Sequence, residues 1–526
     1  MLPVDIDIRD QILNIDGNIV VSASAGTGKT YTTVKRIIQD VNSVSNYQTF
    51  AAITFTRKAA KEIKDRLGVN KGTGFIGTND NFVLKEIIQP FMYDVYGSEF
   101  KKEIFPDFSN RNTIKKFNEG VSKIKENGYL CKYDNNHKNF AFQLGLDILK
   151  KSISARRYLR SKYFRLYIDE YQDCDVDMHS LFIYISDNLK IPLFLVGDIK
   201  QSIYGWRGAY SEGFKYLMKR DDFNTFNLWH NFRSNQSIQN YSNIFMEEAR
   251  NNYNVCEFKN EVQLIVYTNE VDAIEYIENW LNRDQKCSFL NFRRDTAEDW
   301  SNLLKEREID FVYLPHSPLD NGDLESEHVW IARMLASYLL EDRYNEYDVL
   351  LEIPMPEAYE IRKIRSLLLK VTQNLVDKDE FYNSCLEFYK YLGYCDVNNK
   401  MSNEIGILYT VISDPKYIPY YNAEKYKLTT STIHSSKGLE FEQVIINGNE
   451  YNFNSDNDRY LHYVAVSRPK NRLLILLKNN FSGKKYLKEI DNVVSETQNI
   501  GYKIKTSDVI EFIDLMEIKQ KVPHTN

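Results

Sequence analysis

The sequence has few cysteines, and they form no recognisable motif. Six are spread over 526 residues, with no Cys-x-x-Cys spacing and no cluster of cysteine with histidine. A disulfide framework or a structural zinc site is therefore not expected. Reduced thiols in a cytosol fit this usage best.

Long apolar runs are also missing. No stretch approaches the ~18 apolar residues that a membrane-spanning helix needs. The segment Met1–Asp10 carries acidic residues and lacks the apolar core of a signal peptide. We therefore expect a soluble protein that works in the cytoplasm.

The chain lacks a surplus of basic residues, because its formal net charge is −6. A dedicated nucleic-acid coat protein would usually be basic. Any nucleic-acid surface must therefore be a local groove on an acidic body. Aromatic residues are abundant, with 37 Tyr and 29 Phe, and these side chains can fill cores or stack on unpaired bases.

Short apolar runs typical of strands alternate with helical patterns towards both ends of the chain, for example at Asn18–Ser22, Phe164–Ile168 and Gln443–Ile446. This alternation predicts an α/β fold with parallel sheets. Helix-rich stretches interrupt both α/β regions. We predict a first lobe over 1–80 and 163–235, a helical insertion over 81–162, a second lobe over 236–330 and 426–526, and a short helical insertion over 331–425.

A phosphate-binding loop (P-loop) motif starts at Ala23, where the first glycine of the pattern usually stands. It follows a predicted strand and opens a helix, which is the context that the motif requires. Lys29 is expected to reach the β- and γ-phosphates, and Thr30 to hold Mg²⁺. A glycine-rich turn before a helix is the structural alternative. The nucleotide-binding residues predicted in the loop are Ser24, Ala25, Gly26, Thr27, Gly28, Lys29 and Thr30.

Two adjacent acids, Asp169 and Glu170, follow the predicted strand Phe164–Ile168. Asp169 is expected to hold Mg²⁺, and Glu170 to orient and deprotonate the attacking water, because one carboxylate could not do both. The alternative is a solvated acidic turn, which the upstream P-loop disfavours. From spacing alone, Arg233 and Arg468 would be surface arginines near strand–helix junctions.

Taken together, these motifs resemble superfamily-one DNA helicases of the UvrD/Rep type. The resemblance implies two RecA-like P-loop NTPase lobes, with ATP and Mg²⁺ between them and DNA lying across both. ATP binding would close the lobes and hydrolysis would reopen them. The segments that carry the resemblance, in the family's order, are the P-loop, 54–60, 169–173, 196–209, 231–234, 432–441 and 463–468.

The resemblance also assigns roles at matching positions. For the nucleotide, it implies that Gln11 reads adenine, Phe232 stacks on it, Glu440 contacts the sugar, Gln201 senses the γ-phosphate, and Arg233 and Arg468 bind the γ-phosphate. For DNA, as a single strand or a duplex end, it implies contacts from Phe55, Tyr204, Trp206, Arg207 and His434. Core packing is the alternative for each of these aromatic residues.

Within this superfamily the chain is similar to the GajB family, the helicase-like subunits of Gabija anti-phage defence systems. The likeness lies in the segments 75–80, 142–151, 161–164 and 177–179. It implies a role in bacterial defence and a protein partner, GajA, which is an ATPase–Toprim nuclease of the OLD family.

The sequence departs from the broader UvrD pattern at Arg57, where asparagine is usual, and at Gly77–Phe82, which replaces a Thr-x-His-Ser-Phe motif. The predicted second insertion is also short, which puts processive unwinding in question. Two alternatives stay open: a stand-alone DNA repair helicase, and a helicase-fold scaffold or DNA-end sensor. A helicase–nuclease fusion is not expected, because the sequence ends at Asn526, soon after the last helicase motif.

Overall fold

The computed structural model describes residues 3–44, 47–100, 104–106, 113–135, 137–203, 205, 208–320, 328–353, 359–395, 397 and 399–516. Contacts divide the chain into two compact units. The first comprises Met1–Ile104, Asn135–Arg293 and Thr432–Asn526, and the second comprises Phe105–Asp134 and Arg294–Ser431. Among the described helices, none is long and apolar enough to cross a membrane.

The first unit contains a sheet of six parallel strands, which we call the first sheet. Its order is Phe223–Leu228, Asn18–Ala23, Leu193–Gly197, Tyr163–Ile168, Thr49–Thr54 and Phe75–Thr78. The inner strands are almost entirely buried, as expected for a parallel sheet with both faces covered, and this explains their continuous apolar sequences. The predicted α/β fold is confirmed.

Helices connect these strands, and some of them begin at a polar residue whose side chain caps the first turn. Thr56 Oγ1 accepts a hydrogen bond from the Ala59 N–H (3.1 Å), and the Asp175 carboxylate accepts one from the Met178 N–H (2.8 Å). The helices of this region are Ile6–Asn14, Lys29–Ser43, Arg57–Leu67, Asn79–Val83 continuing through a π-helical turn into Gln89–Tyr96, Phe140–Lys151, Ile153–Lys162, Val176–Leu189 and Ser211–Leu217.

The first unit also holds five parallel strands of a second sheet, in the order Cys287–Asn291, Phe441–Asn447, Pro469–Lys478, Val262–Tyr267 and Glu511–Asp514. Its helices are Gln236–Ile244, Glu270–Trp280, Asp456–Val466 and Phe481–Asn499. Three of them bury a polar aromatic cluster, in which His462 Nε2 lies 2.6 Å and the Tyr241 hydroxyl 2.9 Å from the Tyr486 hydroxyl. This hydrogen bonding makes burial of the three polar rings tolerable.

The second unit is mainly helical. It combines 105–134 with 294–431, so part of the predicted first insertion groups with the second. The Lys400 ammonium, for example, lies 4.4 Å from the Tyr129 ring centroid. The predicted boundaries of the four segments remain predictions. The helices are Phe117–Asn127, Arg294–Lys305, Val329–Leu340, Glu346–Glu352, Ile361–Gln373, Lys378–Tyr391, Asn399–Ser413 and Ile418–Tyr421, and the strands are Phe105–Pro106, Thr113–Ile114, Tyr129–Leu130, Lys132–Tyr133, Val312–Tyr313 and Leu428–Thr432.

Sequence reasoning missed several strands, and three of them lie at sheet edges. Phe75–Thr78 and Phe223–Leu228 are the two edges of the first sheet, and Glu511–Asp514 is an edge of the second. Between its buried end residues, Phe223–Leu228 alternates half-buried and exposed positions, so it is more open to solvent than the inner strands. Such strands lack the continuous apolar run that identifies inner parallel strands. Val262–Tyr267 was also missed, although it is an inner strand.

Candidate active site

The P-loop is shaped by glycines between the strand Asn18–Ala23 and the helix Lys29–Ser43. Gly26 and Gly28 have φ of 73° and 79°, in the left-handed region that favours glycine. A Cβ atom at Gly26 would lie 2.2 Å from Asn231 Oδ1. The loop therefore packs so closely against the segment around Asn231 that only glycine fits there.

Lys29 places a buried positive charge at the start of the helix. Its Nζ atom forms an ion pair with Glu170 Oε1 at 3.3 Å and has no hydrogen-bond partner among the described residues. A buried ammonium with unused donors is a binding group for an anion. Together with the glycine-lined loop, it fits the phosphates of a nucleoside triphosphate.

Asp169 and Glu170 lie just beyond the carboxyl end of the strand Tyr163–Ile168. The Asp169 N–H donates to the Ile53 carbonyl (3.0 Å), and the Asp169 carboxylate accepts from the Glu170 N–H (2.9 Å). Glu170 has a φ of 52°, which is uncommon for a residue with a side chain and is often found where function constrains the backbone.

Different surroundings shift the pKa values of the two carboxyl groups in opposite directions. Burial raises the pKa of Asp169 above its ordinary value, and the neighbouring Glu170 charge adds to this effect. Burial also raises the pKa of Glu170, but the ammonium groups of Lys29 and Lys437 outweigh it, so the Glu170 pKa is lowered. Gln172 Nε2 also donates a hydrogen bond to the Glu170 carboxylate. Glu170 is thus held as the ionised carboxylate that a general base requires.

Thr30 and Asp169 supply oxygen donors of the type that Mg²⁺ prefers. The described residues contain no group of three or more histidine, cysteine or acidic side chains that could hold a metal ion by themselves. Mg²⁺ is usually bound through one or two carboxylates together with the phosphates of the substrate. The two residues therefore suit a cation that arrives with a nucleotide.

Arg468 comes from the second-sheet region and contacts the first. It is 1% exposed, and its Nε and Nη1 donate to the carbonyls of Val464 (2.8 Å) and Leu439 (3.2 Å). Its Nη2 donates to Gln201 Oε1 (3.3 Å), and Gln201 Nε2 donates to Asp198 Oδ2 (2.7 Å). Burial lowers the pKa of Arg468 to about 9, so the guanidinium stays charged at neutral pH.

A second contact between these two regions, made by Lys437, was not predicted from the sequence. Lys437 Nζ lies 2.5 Å from Asp173 Oδ2 and donates to the Gln201 carbonyl (3.0 Å), so Lys437 and Arg468 both reach Gln201. Both Lys437 and Asp173 stand inside motifs of the resemblance, but no role was predicted for either. Their opposite charges in two separate motifs were the only available signal.

Arg233 lies beside Glu440 rather than beside the acidic pair. Arg233 Nε donates to Glu440 Oε2 (2.9 Å), and Arg233 Nη1 to the Ser467 carbonyl (3.4 Å). Glu440 also pairs with Lys470 (2.9 Å). The structure thus brings two of the predicted nucleotide-binding residues together, and their roles toward phosphate and sugar remain predictions.

Phe232 and Gln11 are placed differently with respect to the P-loop. The Phe232 N–H donates to the Gly26 carbonyl (2.9 Å), and its ring is 57% exposed, which leaves a face for a base. Gln11 is exposed on the helix Ile6–Asn14, and in the described part of the chain its side chain makes no hydrogen bond to the P-loop. Arg9 of the same helix lies against Phe232 instead, with its guanidinium 5.1 Å from the ring centroid.

The residues predicted to bind DNA are only partly described. Phe55 is half-buried directly after the strand Thr49–Thr54, and His434 is half-buried in the short 3₁₀ helix His434–Ser436. Three others, Tyr204, Trp206 and Arg207, lie outside the described residues. The DNA-binding roles of all five remain predictions.

Comparison with known proteins gives two family matches. Residues 11–207 match an AAA domain, and residues 379–480 match a UvrD-like helicase C-terminal domain. The chain is 38% identical over 507 residues to the Gabija protein GajB of Bacillus cereus (strain VD045), covering 93% of this chain and 98% of that protein.

The chain also resembles ATP-dependent DNA helicases named PcrA, at lower identity. It is 25% identical over 324 residues to PcrA of Staphylococcus aureus (strain Mu50 / ATCC 700699), which is 52% of this chain and 43% of that helicase. PcrA of Staphylococcus epidermidis is also 25% identical, over 332 residues and 45% of its length. The match therefore spans less than half of each PcrA helicase.

Proposed function

Since the chain belongs to the GajB family of UvrD-like helicases, we propose that it is a DNA-stimulated ATPase acting as the helicase-like subunit of a Gabija antiviral complex. The proposed partner is a GajA-type nuclease of the OLD family. The main support for the ATPase is a pair of contacts beside the Lys29–Glu170 ion pair. Arg468 donates a hydrogen bond to Gln201, and Lys437 forms an ion pair with Asp173. Groups for phosphate binding, water activation and charge stabilisation thus come from two lobes.

In the proposed reaction Lys29 binds the phosphates, and the Glu170 carboxylate accepts a proton from the attacking water. Mg²⁺, when held by Thr30 and Asp169, neutralises phosphate charge. Arg468 stabilises the negative charge that develops on the transferred phosphoryl group. Its hydrogen bond to Gln201 Oε1 (3.3 Å) joins this guanidinium to a side chain of the other lobe.

The first test is phosphate release by the purified full-length chain without DNA, with single-stranded DNA and with duplex-ended DNA. Lys29→Ala is expected to reduce turnover to background in all three, because it removes the buried ammonium that would bind phosphate. DNA stimulation in the wild type, lost in the variant, supports a DNA-dependent motor. Turnover that survives in Lys29→Ala would show that another group binds the phosphates. Wild-type turnover that is absent with every DNA would instead favour a scaffold role or a chain that needs its partner.

Base stacking predicts a separate effect of Trp206. Trp206→Ala is expected to weaken DNA stimulation more than basal ATP turnover, because stacking contributes on the order of 1–3 kcal/mol per base. Phosphate release is measured across a titration of single-stranded DNA. Phe481→Ala serves as the control, since Phe481 is 84% exposed and lies outside the motifs. Equal loss of basal and stimulated turnover would point to core packing of Trp206.

The partner and the defence role are tested together by co-expression with the GajA-type nuclease. Co-elution of the two proteins in size-exclusion chromatography, with protection of cells against phage, supports the proposal. A lone chain that unwinds a tailed duplex well and never co-elutes with the nuclease would favour a stand-alone repair helicase.

A further inference from the structure

Arg9 and Asp5 form a buried ion pair at the start of the helix Ile6–Asn14. Arg9 Nε donates to Asp5 Oδ1 (2.7 Å) and Arg9 Nη2 donates to Asp5 Oδ2 (3.1 Å). Arg9 is 8% exposed and Asp5 is 1% exposed. Such a two-point contact fixes the plane of the guanidinium as well as its position.

The same guanidinium holds the P-loop. Arg9 Nη2 donates to the Thr27 carbonyl (3.0 Å), and Nη1 lies 3.4 Å from Thr32 Oγ1. In a trans peptide the carbonyl and the following N–H point in opposite directions. Holding the Thr27 carbonyl toward Arg9 therefore turns the Gly28 N–H away from Arg9.

The Asp5–Arg9 pair also contacts the segment that carries the exposed Phe232 ring. One Asp5 oxygen accepts hydrogen bonds from the backbone N–H groups of Trp229 (3.2 Å) and His230 (3.1 Å). The Arg9 guanidinium lies 5.1 Å from the Phe232 ring centroid, within the range of a cation–π interaction. The Phe232 N–H in turn donates to the Gly26 carbonyl (2.9 Å).

We propose that Arg9, oriented by Asp5, is a positioning residue that sets the P-loop and the Phe232 ring at a fixed separation, so that one nucleotide contacts both. The inference rests on the proposed ATPase function and deepens it, because it names the group that joins the two ends of the nucleotide site. It concerns nucleotide affinity rather than the chemical step.

Lysine is the informative replacement for Arg9, because it keeps the charge and loses the planar fork. A single ammonium cannot bind both Asp5 oxygens and the Thr27 carbonyl in the geometry of the guanidinium. The chain offers a matched control in Arg36, which is 2% exposed and pairs with Asp40, four residues away. Arg36 Nη1 donates to the carbonyls of Ile12 (2.8 Å) and Leu13 (2.7 Å), so it anchors the same helix without contacting the P-loop.

The experiment compares Arg9→Lys and Arg36→Lys in the full-length chain. Binding of a fluorescent ATP analogue with Mg²⁺, steady-state KM and kcat, and thermal melting are measured for both. Arg9→Lys is expected to raise Kd and KM by roughly ten-fold, the scale of one lost charge-assisted hydrogen bond, with kcat within about two-fold of wild type. Arg36→Lys is expected to lower the melting temperature to a similar extent and leave Kd unchanged.

Unchanged Kd in Arg9→Lys, or an equal rise of Kd in both variants, overturns the proposal, because general anchoring of the helix would then explain the effect. If Arg9→Lys does not fold, Asp5→Asn is tested in its place and the same shift in Kd is expected. The double variant Arg9→Lys/Phe232→Leu is expected to raise Kd by less than the product of the two single effects, since the two residues act together. A Kd that rises by the full product of the two single effects would contradict the coupling between Arg9 and the Phe232 ring.

The binding assay separates this inference from the proposed function. Repeating it in the Glu170→Gln background removes turnover and leaves only nucleotide affinity. A wild type that binds ATP without DNA-stimulated hydrolysis would overturn the proposed function, yet the Arg9 comparison would still be decisive.

Discussion

Replacing Arg468 with alanine is expected to slow ATP hydrolysis by a factor of roughly 10³–10⁵, the range observed when an arginine that stabilises phosphoryl-transfer charge is removed. The physical reason is the position of the guanidinium, which is buried, charged and hydrogen-bonded to Gln201 across the lobes. Burial strengthens its interaction with developing negative charge, because little water screens it. Single-turnover phosphate release with saturating ATP and DNA measures the effect.

The main complication is stability, because Arg468 also donates to the buried carbonyls of Val464 and Leu439. Arg472→Ala is the matched control: Arg472 is four residues along the chain, donates to the Trp280 carbonyl (2.6 Å) and packs 4.5 Å from the Trp280 ring centroid. Arg472→Ala is expected to lower the melting temperature and retain turnover. If the two variants lost turnover equally, destabilisation rather than lost charge would be the cause, and the assignment of Arg468 would be wrong.

Glu170→Gln is expected to lower kcat by roughly 10²–10⁴, the usual contribution of a general base, while ATP binding is retained. Glutamine has the shape of glutamate and tolerates the φ of 52° no worse, so the backbone strain is unchanged. It cannot take a proton from water at neutral pH. It also ends the ion pair with Lys29 (3.3 Å), which frees that ammonium for phosphate, so affinity for ATP is expected to be equal or higher.

Equilibrium binding and phosphate release on the same preparation distinguish this outcome from misfolding. Glu86→Gln is a suitable control, since Glu86 is 8% exposed and pairs with Lys162 at 2.7 Å, away from the P-loop. It removes a comparably buried ion pair and is expected to retain turnover. Near-normal kcat in Glu170→Gln would show that another group activates the water.

The two substitutions also separate the remaining alternatives for the whole protein. If phage defence survives both Arg468→Ala and Glu170→Gln while turnover is lost, the fold serves as a scaffold or DNA-end sensor. If defence is lost with turnover, hydrolysis is part of the defence mechanism. The Lys29→Ala variant tests in the same way whether phage defence requires ATP binding.

The fold class and the local chemistry of the site follow from the amino-acid order alone. The P-loop and the acidic pair are short motifs whose residues are neighbours in the chain, so spacing is enough to predict roles for Lys29, Asp169 and Glu170. Inner parallel strands are buried on both faces, so a continuous apolar run marks them in the sequence. Edge strands such as Phe223–Leu228 escaped prediction, because a half-exposed strand carries polar residues.

The distant residues that complete the site are brought together only by tertiary packing. Lys437 and Asp173 are 264 positions apart, and Arg468 and Gln201 are 267 apart, so no local pattern could pair them. The structure likewise places Arg9, for which no role was predicted, against the P-loop and Phe232. The physical reason is that a motif records what one stretch of backbone can do, whereas an ion pair between lobes depends on how whole sheets and helices pack.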